Sequence, residues 1–479
     1  MSSVQRRESH HLRRRQAGNH LSSTLGGWRA AAGGAIALGL LGGALAERQP
    51  SNAILVCLAI GAILALAMAG ERAFPWAIVL VAVVPWYPFI AEAAEPPIVR
   101  QKVLCAAIAA APLVPWLWSL PLRARGARPG KGALMVGVLY LGLAILIYQT
   151  LGSVSALIDS TVVGYVFIGV TFLCARRFGN GEGWLAAAFG GLLVLGVMGA
   201  EAYMKAPSNR IGYFVGYPIT YGALVVGLLP AALLFAFQRS RLLAGAVGAG
   251  TAALLIFSES RSSWVAVAVM LVVAVALQSR AGNLRALAAV ITAVAILAGL
   301  IAGTGLHKIV ERKLSAKVVT SQSVTHREFS VGYAIKQIGE RPLFGAGAPG
   351  YSAQESASKT DIGALDNGYL SVSVDLGVVG LVAALLPIAV ALRVLGRCAR
   401  FGVTPRFELA LALGVLGIAV VTVFYDSFYW AQLDLLLGAM GGVLSTRVAR
   451  IARPEPEPEP DVTVRATGQG ALASVRPAT

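Results

Sequence analysis

The sequence is poor in charge. Asp, Glu, Lys and Arg supply only 13 % of its 479 residues, whereas soluble domains have about 25 %. Hydrophobic residues supply 57 %, and the mean hydropathy is +0.71. A soluble multi-domain protein of this length carries more charge on its surface. The shortage of charge therefore indicates a membrane protein.

Cysteine is also scarce, since the chain has only 4. Cys57, Cys105 and Cys174 lie in or at apolar runs, and Cys398 lies in a segment that we predict to be a cytoplasmic loop. The chain has no C-x-x-C pair, and its histidines lack the spacing of metal ligands. The sequence argues against a disulfide framework, and we expect neither a metal nor a cofactor.

Apolar runs recur along the chain, each long enough to cross about 30 Å of hydrocarbon as an α-helix. They are too long and too uniformly apolar for the alternating strands of a membrane β-barrel. We therefore predict an all-α polytopic membrane protein with about 14 transmembrane helices. The predicted spans lie near residues 29–46, 53–70, 73–91, 103–120, 133–151, 154–175, 184–203, 211–237, 242–259, 262–278, 286–306, 369–391, 407–424 and 430–446.

Basic residues recur in alternate short loops between these spans, for example at Arg239 and Arg241 and again at Arg393 and Arg397. Short cytoplasmic loops are enriched in Lys and Arg, so we predict that this side, which includes both termini, is cytoplasmic. The net charge of +17 is then a consequence of topology. Because the basic residues are dispersed over loops, we expect contact with membrane lipids and no nucleic-acid binding.

The same patterns give the domain organisation. Residues 1–28 form a basic cytoplasmic tail, residues 29–446 form the membrane domain, and residues 447–479 form a Pro/Glu-rich cytoplasmic tail that we expect to be disordered. Residues 30–46 end in small residues, as signal-peptidase sites do. The long basic leader before them favours an uncleaved first span.

One loop, at residues 307–367, is much longer than the others on the predicted extracytoplasmic side. Within it Val331, Ala334, Ile335 and Ile338 follow helical spacing. This spacing predicts an amphipathic helix that lies along the membrane surface or covers a cavity.

A glycine-rich stretch follows, in which Gly345, Gly347 and Gly350 spell G-x-G-x-x-G. A dinucleotide-binding loop of this pattern needs a buried strand before it and a helix after it. Here the preceding residues have helical periodicity, and Pro349 stands where helix N–H groups should begin to donate. We therefore predict that the glycines form a tight turn and bind no nucleotide.

Several ionisable residues lie on the same predicted side. Arg210 stands at the start of the eighth span, Arg261 stands between the ninth and tenth, and Asp366-Asn367 opens the twelfth. Asp375 lies one to two turns deeper, where an ionisable group is costly. Because arginine is otherwise scarce in short loops on this side, binding of a phosphate is favoured over snorkelling to lipid headgroups.

Arginines beside a lipid-facing cavity suit a polyprenyl diphosphate, whose charge lies at the membrane surface. A carboxylate such as Asp366 can accept the proton of a sugar hydroxyl that attacks the anomeric carbon. The alternative for Asp366 is an N-cap of the twelfth span, and the alternative for Asp375 is a structural pair with an arginine. Asp434 has no motif around it, and His307 and His326 are the histidines of this side.

Four segments between about residues 205 and 385 resemble motifs of the O-antigen ligase and O-antigen polymerase superfamily of bacterial membrane glycosyltransferases. They are RIGYFVGYP, SRSSW, HREFSVGYAIKQIGERPLFGAGAPGY and DNGYLSVSVDLGVVG. The last resembles H-N-x9-G-x-x-G, with Asn367, Gly377 and Gly380 at the matching positions. Asp366 stands in place of the histidine.

The resemblance implies an inverting, metal-independent glycosyltransferase of the bacterial inner membrane. Its donor would be a glycan on undecaprenyl diphosphate, used on the extracytoplasmic face, and its acceptor would be a glycan or a lipid. A polysaccharide flippase and a chain-length regulator are candidate protein partners. The catalytic candidates are Arg210, Arg261 and Asp366, and the substrate-binding candidates are Arg327, Asn367, His326 and Asp375.

The motifs do not separate a ligase, which attaches the glycan to a lipid core or protein, from a polymerase, which joins repeat units. The absence of the histidine slightly favours a polymerase. A lipid-linked oligosaccharide flippase is the alternative from a different class. Flippases have short external loops, and the 307–367 loop is long.

Overall fold

The computed structural model describes residues 74–83, 163–178, 181–205, 210–212, 215, 217–280, 322–346, 367–402 and 405–451. Within these ranges the regular structure is helical and contains no strand. In chain order the α-helices are α1 (Phe74–Val83), α2 (Val163–Phe178), α3 (Gly181–Lys205), α4 (Pro218–Arg239), α5 (Arg241–Ser258), α6 (Arg261–Arg280), α7 (Gln322–Glu340), α8 (Gly368–Phe401), α9 (Arg406–Phe424) and α10 (Ala431–Ile451). A short 3₁₀ turn, Ser427–Tyr429, joins α9 to α10.

Among the described residues, 6 helices are long and apolar enough to cross a membrane: Gly183–Lys205, Pro218–Arg239, Arg241–Ser258, Arg261–Arg280, Gly368–Phe401 and Arg406–Phe424. The prediction of an all-α polytopic membrane protein is confirmed in this coarse form. The total of about 14 spans stays a prediction. The spans predicted near 29–46, 53–70, 103–120, 133–151 and 286–306 lie outside the described residues.

Several predicted boundaries are wrong. α4 begins at Pro218 rather than near residue 211, because proline is favoured at the first position of a helix, where its missing N–H needs no partner. α8 continues to Phe401, so Cys398 is buried in a helix and not in a loop. α10 continues to Ile451, past the predicted start of the tail at residue 447. Arginine favours helix, so both helices continue through their basic ends.

The helices pack closely at small residues. Gly438 and Gly442 of α10 lie against α2, and Gly227 of α4 faces Gly414 of α9. Small residues let two backbones approach where lipid offers no hydrophobic driving force between helices. These contacts place α4, α9 and α10 at the centre of the bundle, where their side chains are largely buried.

The basic residues gather at one end of the bundle. Arg397 of α8 donates a hydrogen bond to the carbonyl of Val448 in α10. Arg447 forms an ion pair with Glu408 at the start of α9, with an N–O distance of 3.0 Å. Further arginines stand at the helix ends on this side: Arg239, Arg241, Arg280 and Arg406. We call this side the basic end.

The predicted amphipathic helix is confirmed as α7. Two of its apolar residues, Ala334 and Ile338, pack against the first turns of α8. The other two, Val331 and Ile335, are exposed. Because a helix precedes the glycine-rich stretch, the strand that a dinucleotide-binding loop requires is not there.

α8 is interrupted at Gly377, whose φ of 63° and ψ of −158° are not helical. The helix therefore consists of a first segment, residues 368–376, and a second segment, residues 378–401. Pro387 in the second segment lies beside Gly441 of α10. The second segment thus packs against α10.

Residues 342–346, which we call the strap, run along this break in the opposite direction. The Val378 N–H donates to the Pro342 carbonyl (2.8 Å), and the Ala346 N–H donates to the Val374 carbonyl (2.7 Å). In a continuous helix the Val378 N–H would bond to the Val374 carbonyl. The strap therefore provides a hydrogen-bond acceptor for the Val378 N–H and a donor for the Val374 carbonyl, the two groups that the break separates.

Two glycines make this contact possible. A β-carbon on Gly345, which has a φ of 67°, would collide with the backbone of Asp375. A β-carbon on Gly377 would collide with the backbone of Leu343. Gly345 therefore forms a turn, as predicted from the G-x-G-x-x-G pattern, while Gly347 and Gly350 lie outside the described residues.

We predict that Gly377→Ala lowers the melting temperature of the purified protein in detergent. The left-handed backbone costs a non-glycine residue about 1–3 kcal/mol, and the β-carbon would also displace the strap. Gly396→Ala is the matched control, because Gly396 lies in the same helix with open space around its β-carbon position. The control should gain about 0.5–1 kcal/mol of helix stability. Equal melting temperatures for Gly377→Ala and wild type would contradict the strap contact.

Candidate functional site

Four polar segments meet at the end of the bundle opposite the basic end. We call them together the candidate site: the described residues of 210–217, the turn 258–263 between α5 and α6, the start of α8 at 367–369, and the turn 425–430 between α9 and α10. The first turns of α4 hold these segments together. Of the predicted site residues, Arg210, Arg261 and Asn367 lie in these segments.

Two contacts of α4 define this arrangement. Gly222 lies against Ser260 and Ser263, so the turn that carries Arg261 packs on α4. The hydroxyls of Thr220 and Tyr425 are hydrogen-bonded to each other (3.1 Å). Burial raises the pKa of the Tyr425 phenol, so the hydroxyl stays protonated at neutral pH.

Aromatic contacts and one amide extend these connections. The rings of Tyr217 and Tyr425 are stacked, with centroids 5.9 Å apart. The Gln432 amide of α10 donates to the Val215 carbonyl (3.3 Å). The segment that follows Arg210 is thus fixed against both the last turn and the last helix.

Arg210 binds the C-terminus of α5. Its Nε donates to the Ser258 carbonyl (3.1 Å), and its Nη2 donates to the Glu259 carbonyl (3.3 Å). Nε also lies 3.8 Å from the Glu259 carboxylate. The last carbonyls of a helix have no partner within it, so Arg210 stabilises this helix end and is fixed to the turn that leads into Arg261.

Arg261 is the first residue of α6, and its side chain is exposed. The first turn of α6 contains no acidic residue. A helix N-terminus favours negative charge, so an arginine here does not stabilise the helix. The combined positive charge of the helix end and the guanidinium suits an anionic ligand.

Glu259 is a residue of this turn that we did not single out from the sequence. Its φ of 54° makes it the non-glycine residue with a positive φ among those the structure describes. Such a conformation costs about 1–3 kcal/mol and is typical of functional sites. Its carbonyl and its carboxylate both face Arg210. In the sequence, the feature that could have identified it was an acidic residue two positions before Arg261 in SESRSSW.

Asn367 is the N-cap of α8. Its side-chain oxygen accepts hydrogen bonds from the N–H groups of Tyr369 (3.0 Å) and Leu370 (3.1 Å). The N-cap of this helix is therefore Asn367, one residue after Asp366, for which we had considered that role. Asp366 itself lies outside the described residues, directly before this cap.

Asp426 brings a second carboxylate to the same place, and sequence reasoning missed it. One of its carboxylate oxygens lies 3.4 Å from the β-carbon position of Gly368, the residue after Asn367. Asp426 belongs to the short turn FYDSFYW between the last two helices. An acidic residue among aromatic residues in a short turn was the signal that could have identified it.

Asp375 is buried, with 4 % of its surface exposed, and belongs to the first segment of α8. It lies two residues before the break at Gly377. The strap glycine Gly345 covers its backbone. Asp434 is buried in α10.

Arg327 and His326 lie in α7, where the structure describes their backbone as helical and leaves their side chains undescribed. His307 lies outside the described residues. Their predicted roles therefore stay predictions. In the described ranges no three His, Cys, Asp or Glu side chains are grouped so that they would hold a metal ion.

A bundle of membrane-spanning helices, with one basic end and one end that presents arginines and carboxylates, defines the class of polytopic helical membrane proteins. Residues 246–385 match the family model described as O-Antigen ligase. This match confirms the resemblance to the O-antigen ligase and polymerase superfamily. No curated protein matches the chain.

The matched segment contains the Arg261 turn, α7, the strap, and the start and break of α8. Arg210 lies before it and Asp426 lies after it. Contacts in the structure attach both of these residues to the matched segment, through Ser258 and Glu259 for Arg210 and through Gly368 for Asp426.

Proposed function

We propose that this protein is an inverting glycosyltransferase that moves a glycan from undecaprenyl diphosphate to an acceptor hydroxyl at the extracytoplasmic face of the bacterial inner membrane. The observation that carries the proposal is the position of Arg210, which is fixed to the turn that leads directly into Arg261. The family match over residues 246–385 supports it.

The two arginines are suited to the diphosphate of the donor. A guanidinium presents paired N–H donors that match two phosphate oxygens. Negative charge grows on the diphosphate as its bond to the anomeric carbon breaks, so fixed positive charge lowers the barrier. Glu259 holds Arg210 in place and cancels part of the positive charge.

A carboxylate at the start of α8 completes the reaction. The acceptor oxygen forms a bond to the anomeric carbon while the bond from that carbon to the diphosphate breaks, which inverts the configuration. The acceptor proton passes to the carboxylate. Asp366 is the proposed base, and Asp426 is the second candidate, because it lies beside Gly368.

The composition of the surface glycan in a deletion strain tests the proposed function and distinguishes a polymerase from a ligase. A polymerase is expected to leave single repeat units attached at the surface after its loss. A ligase is expected to leave full-length chains on the lipid carrier. Of the candidate protein partners, a flippase would act before the transfer and a chain-length regulator would act during it. An unchanged surface glycan would contradict the proposal.

We predict that the candidate site faces outward and the basic end faces the cytoplasm. In a variant whose native cysteines are replaced by alanine, Lys205→Cys should react with a membrane-impermeant maleimide in spheroplasts. The Lys205 side chain is 74 % exposed at the site end of α3. The matched control is Arg241→Cys, at the exposed start of α5, which should react only after permeabilisation. The reverse pattern would place the site in the cytoplasm.

A further inference from the structure

The strap caps the N-terminus of the second segment of α8. The Val378 N–H donates to the Pro342 carbonyl, and the Val379 N–H donates to the Leu343 carbonyl (3.3 Å). The first N–H groups of a helix have no partner within it. A backbone that supplies these partners has to lie level with the first turn of the helix.

The level of that turn in the membrane follows from its neighbours. Pro387 lies beside Gly441 of α10. Helical rise places Val378 about 14 Å above Pro387 and Ala431, the first residue of α10, about 15 Å above Gly441. Both helices therefore begin at nearly the same level.

The opposite boundary is marked by Arg397, which contacts Val448 at the basic end. Helical rise places Arg397 about 29 Å from Val378, close to the hydrocarbon thickness of about 30 Å. The second segment of α8 is thus long enough to cross the hydrocarbon, with Arg393 and Arg397 near its basic end, and it places the strap near the boundary on the side of the candidate site.

The strap exposes two large apolar side chains at this level. Leu343 is 60 % exposed and Phe344 is 55 % exposed. They adjoin Val378, and Val378, Val382 and Leu392 form an exposed apolar stripe along one face of α8. Such a stripe on a membrane-spanning helix suits contact with lipid, and the two strap side chains extend it.

We infer that the strap is a membrane anchor, in which Leu343 and Phe344 contact the acyl chains of the leaflet on the side of the candidate site. The irregular backbone is tolerated at this depth because its hydrogen bonds are made with α8. Lys336 and Arg341, which precede the strap in the chain, are exposed. Their charges suit the phosphates of the lipid headgroups.

Spin labels test this inference without any assay of activity. Labels at Leu343→Cys and Phe344→Cys, in a variant whose native cysteines are replaced by alanine, are measured in liposomes of phosphatidylethanolamine and phosphatidylglycerol. Oxygen, which concentrates in hydrocarbon, should relax both labels more than a water-soluble nickel chelate does. Val382→Cys should behave in the same way, and Lys205→Cys should show the reverse order.

Two results would overturn the inference. Greater access for the nickel chelate at residues 343 and 344 would place the strap in water. Little access for either reagent would show that protein covers the strap. Because both side chains are exposed, the substitutions should leave the melting temperature unchanged. If one variant does not fold, the label at the other position decides.

Discussion

Arg261→Ala is expected to reduce glycan transfer by about 10²- to 10³-fold, the usual effect of removing one group that stabilises charge in a transition state. Arg261 stands at a helix N-terminus whose first turn has no acidic residue, where a positive charge is unfavourable for the helix dipole. The rate is measured as release of undecaprenyl diphosphate by the purified protein in liposomes. The melting temperature should stay at the wild-type value.

Arg280→Ala is the matched control, because Arg280 is an exposed arginine at the opposite end of the same helix. It should transfer glycan at the wild-type rate. Arg261→Lys should recover little activity, since an ammonium group does not reproduce the planar pair of donors. A wild-type rate for Arg261→Ala would contradict the catalytic role and indicate that Arg261 only contacts lipid headgroups.

Arg210→Ala should differ from Arg261→Ala in one respect. It should lose a similar factor in rate and also lower the melting temperature. The substitution removes the donors to the Ser258 and Glu259 carbonyls, at a cost of about 1–3 kcal/mol. A variant that loses stability and keeps its rate would make Arg210 a structural brace alone.

Asp366→Asn is expected to reduce the rate by about 10²- to 10⁴-fold, the range for one acid–base group. A free aspartate has a pKa of about 3.9, well below neutral pH, which suits a residue that accepts a proton. Because Asn keeps the shape, turnover should fall much more than donor affinity. Asp366→His, which places the family's histidine there, should retain more activity than Asp366→Asn.

Asp426→Asn is the comparison that makes this result interpretable. If Asp366 is the base, Asp426→Asn should lose less than Asp366→Asn, because only one carboxylate takes the proton. Stability is not expected to distinguish the two variants, since Asn367 provides the helix cap. Wild-type turnover in Asp366→Asn, together with a large loss in Asp426→Asn, would transfer the role to Asp426.

The helices were predictable because their signals are local. Apolar length located α3 to α6 and α9, and helical spacing of Val331, Ala334, Ile335 and Ile338 located α7. Arg210, Arg261 and Asn367 were identified from their positions at the ends of predicted spans, and the family motifs contain all three. The contact between Arg210 and the Arg261 turn agrees with their proposed joint role.

The break in α8 was not predictable from the same signals. The residues around Gly377 continue an apolar helical pattern, and the break depends on hydrogen bonds to the strap, a segment distant in the chain. Glu259 and Asp426 were missed because the relevant property of each, a left-handed backbone and proximity to Gly368, exists only in the folded chain.

Reconstitution tests the central claim, glycosyl transfer from a diphosphate carrier, most directly. Lipid-linked glycan extracted from the deletion strain is incubated with the purified protein and acceptor in liposomes that contain EDTA, and the products are measured by mass spectrometry. The account predicts free undecaprenyl diphosphate and newly linked glycan in equal amounts, without added metal, and neither product with Arg261→Ala. Intact donor that only changes leaflet would instead identify a flippase and contradict the account.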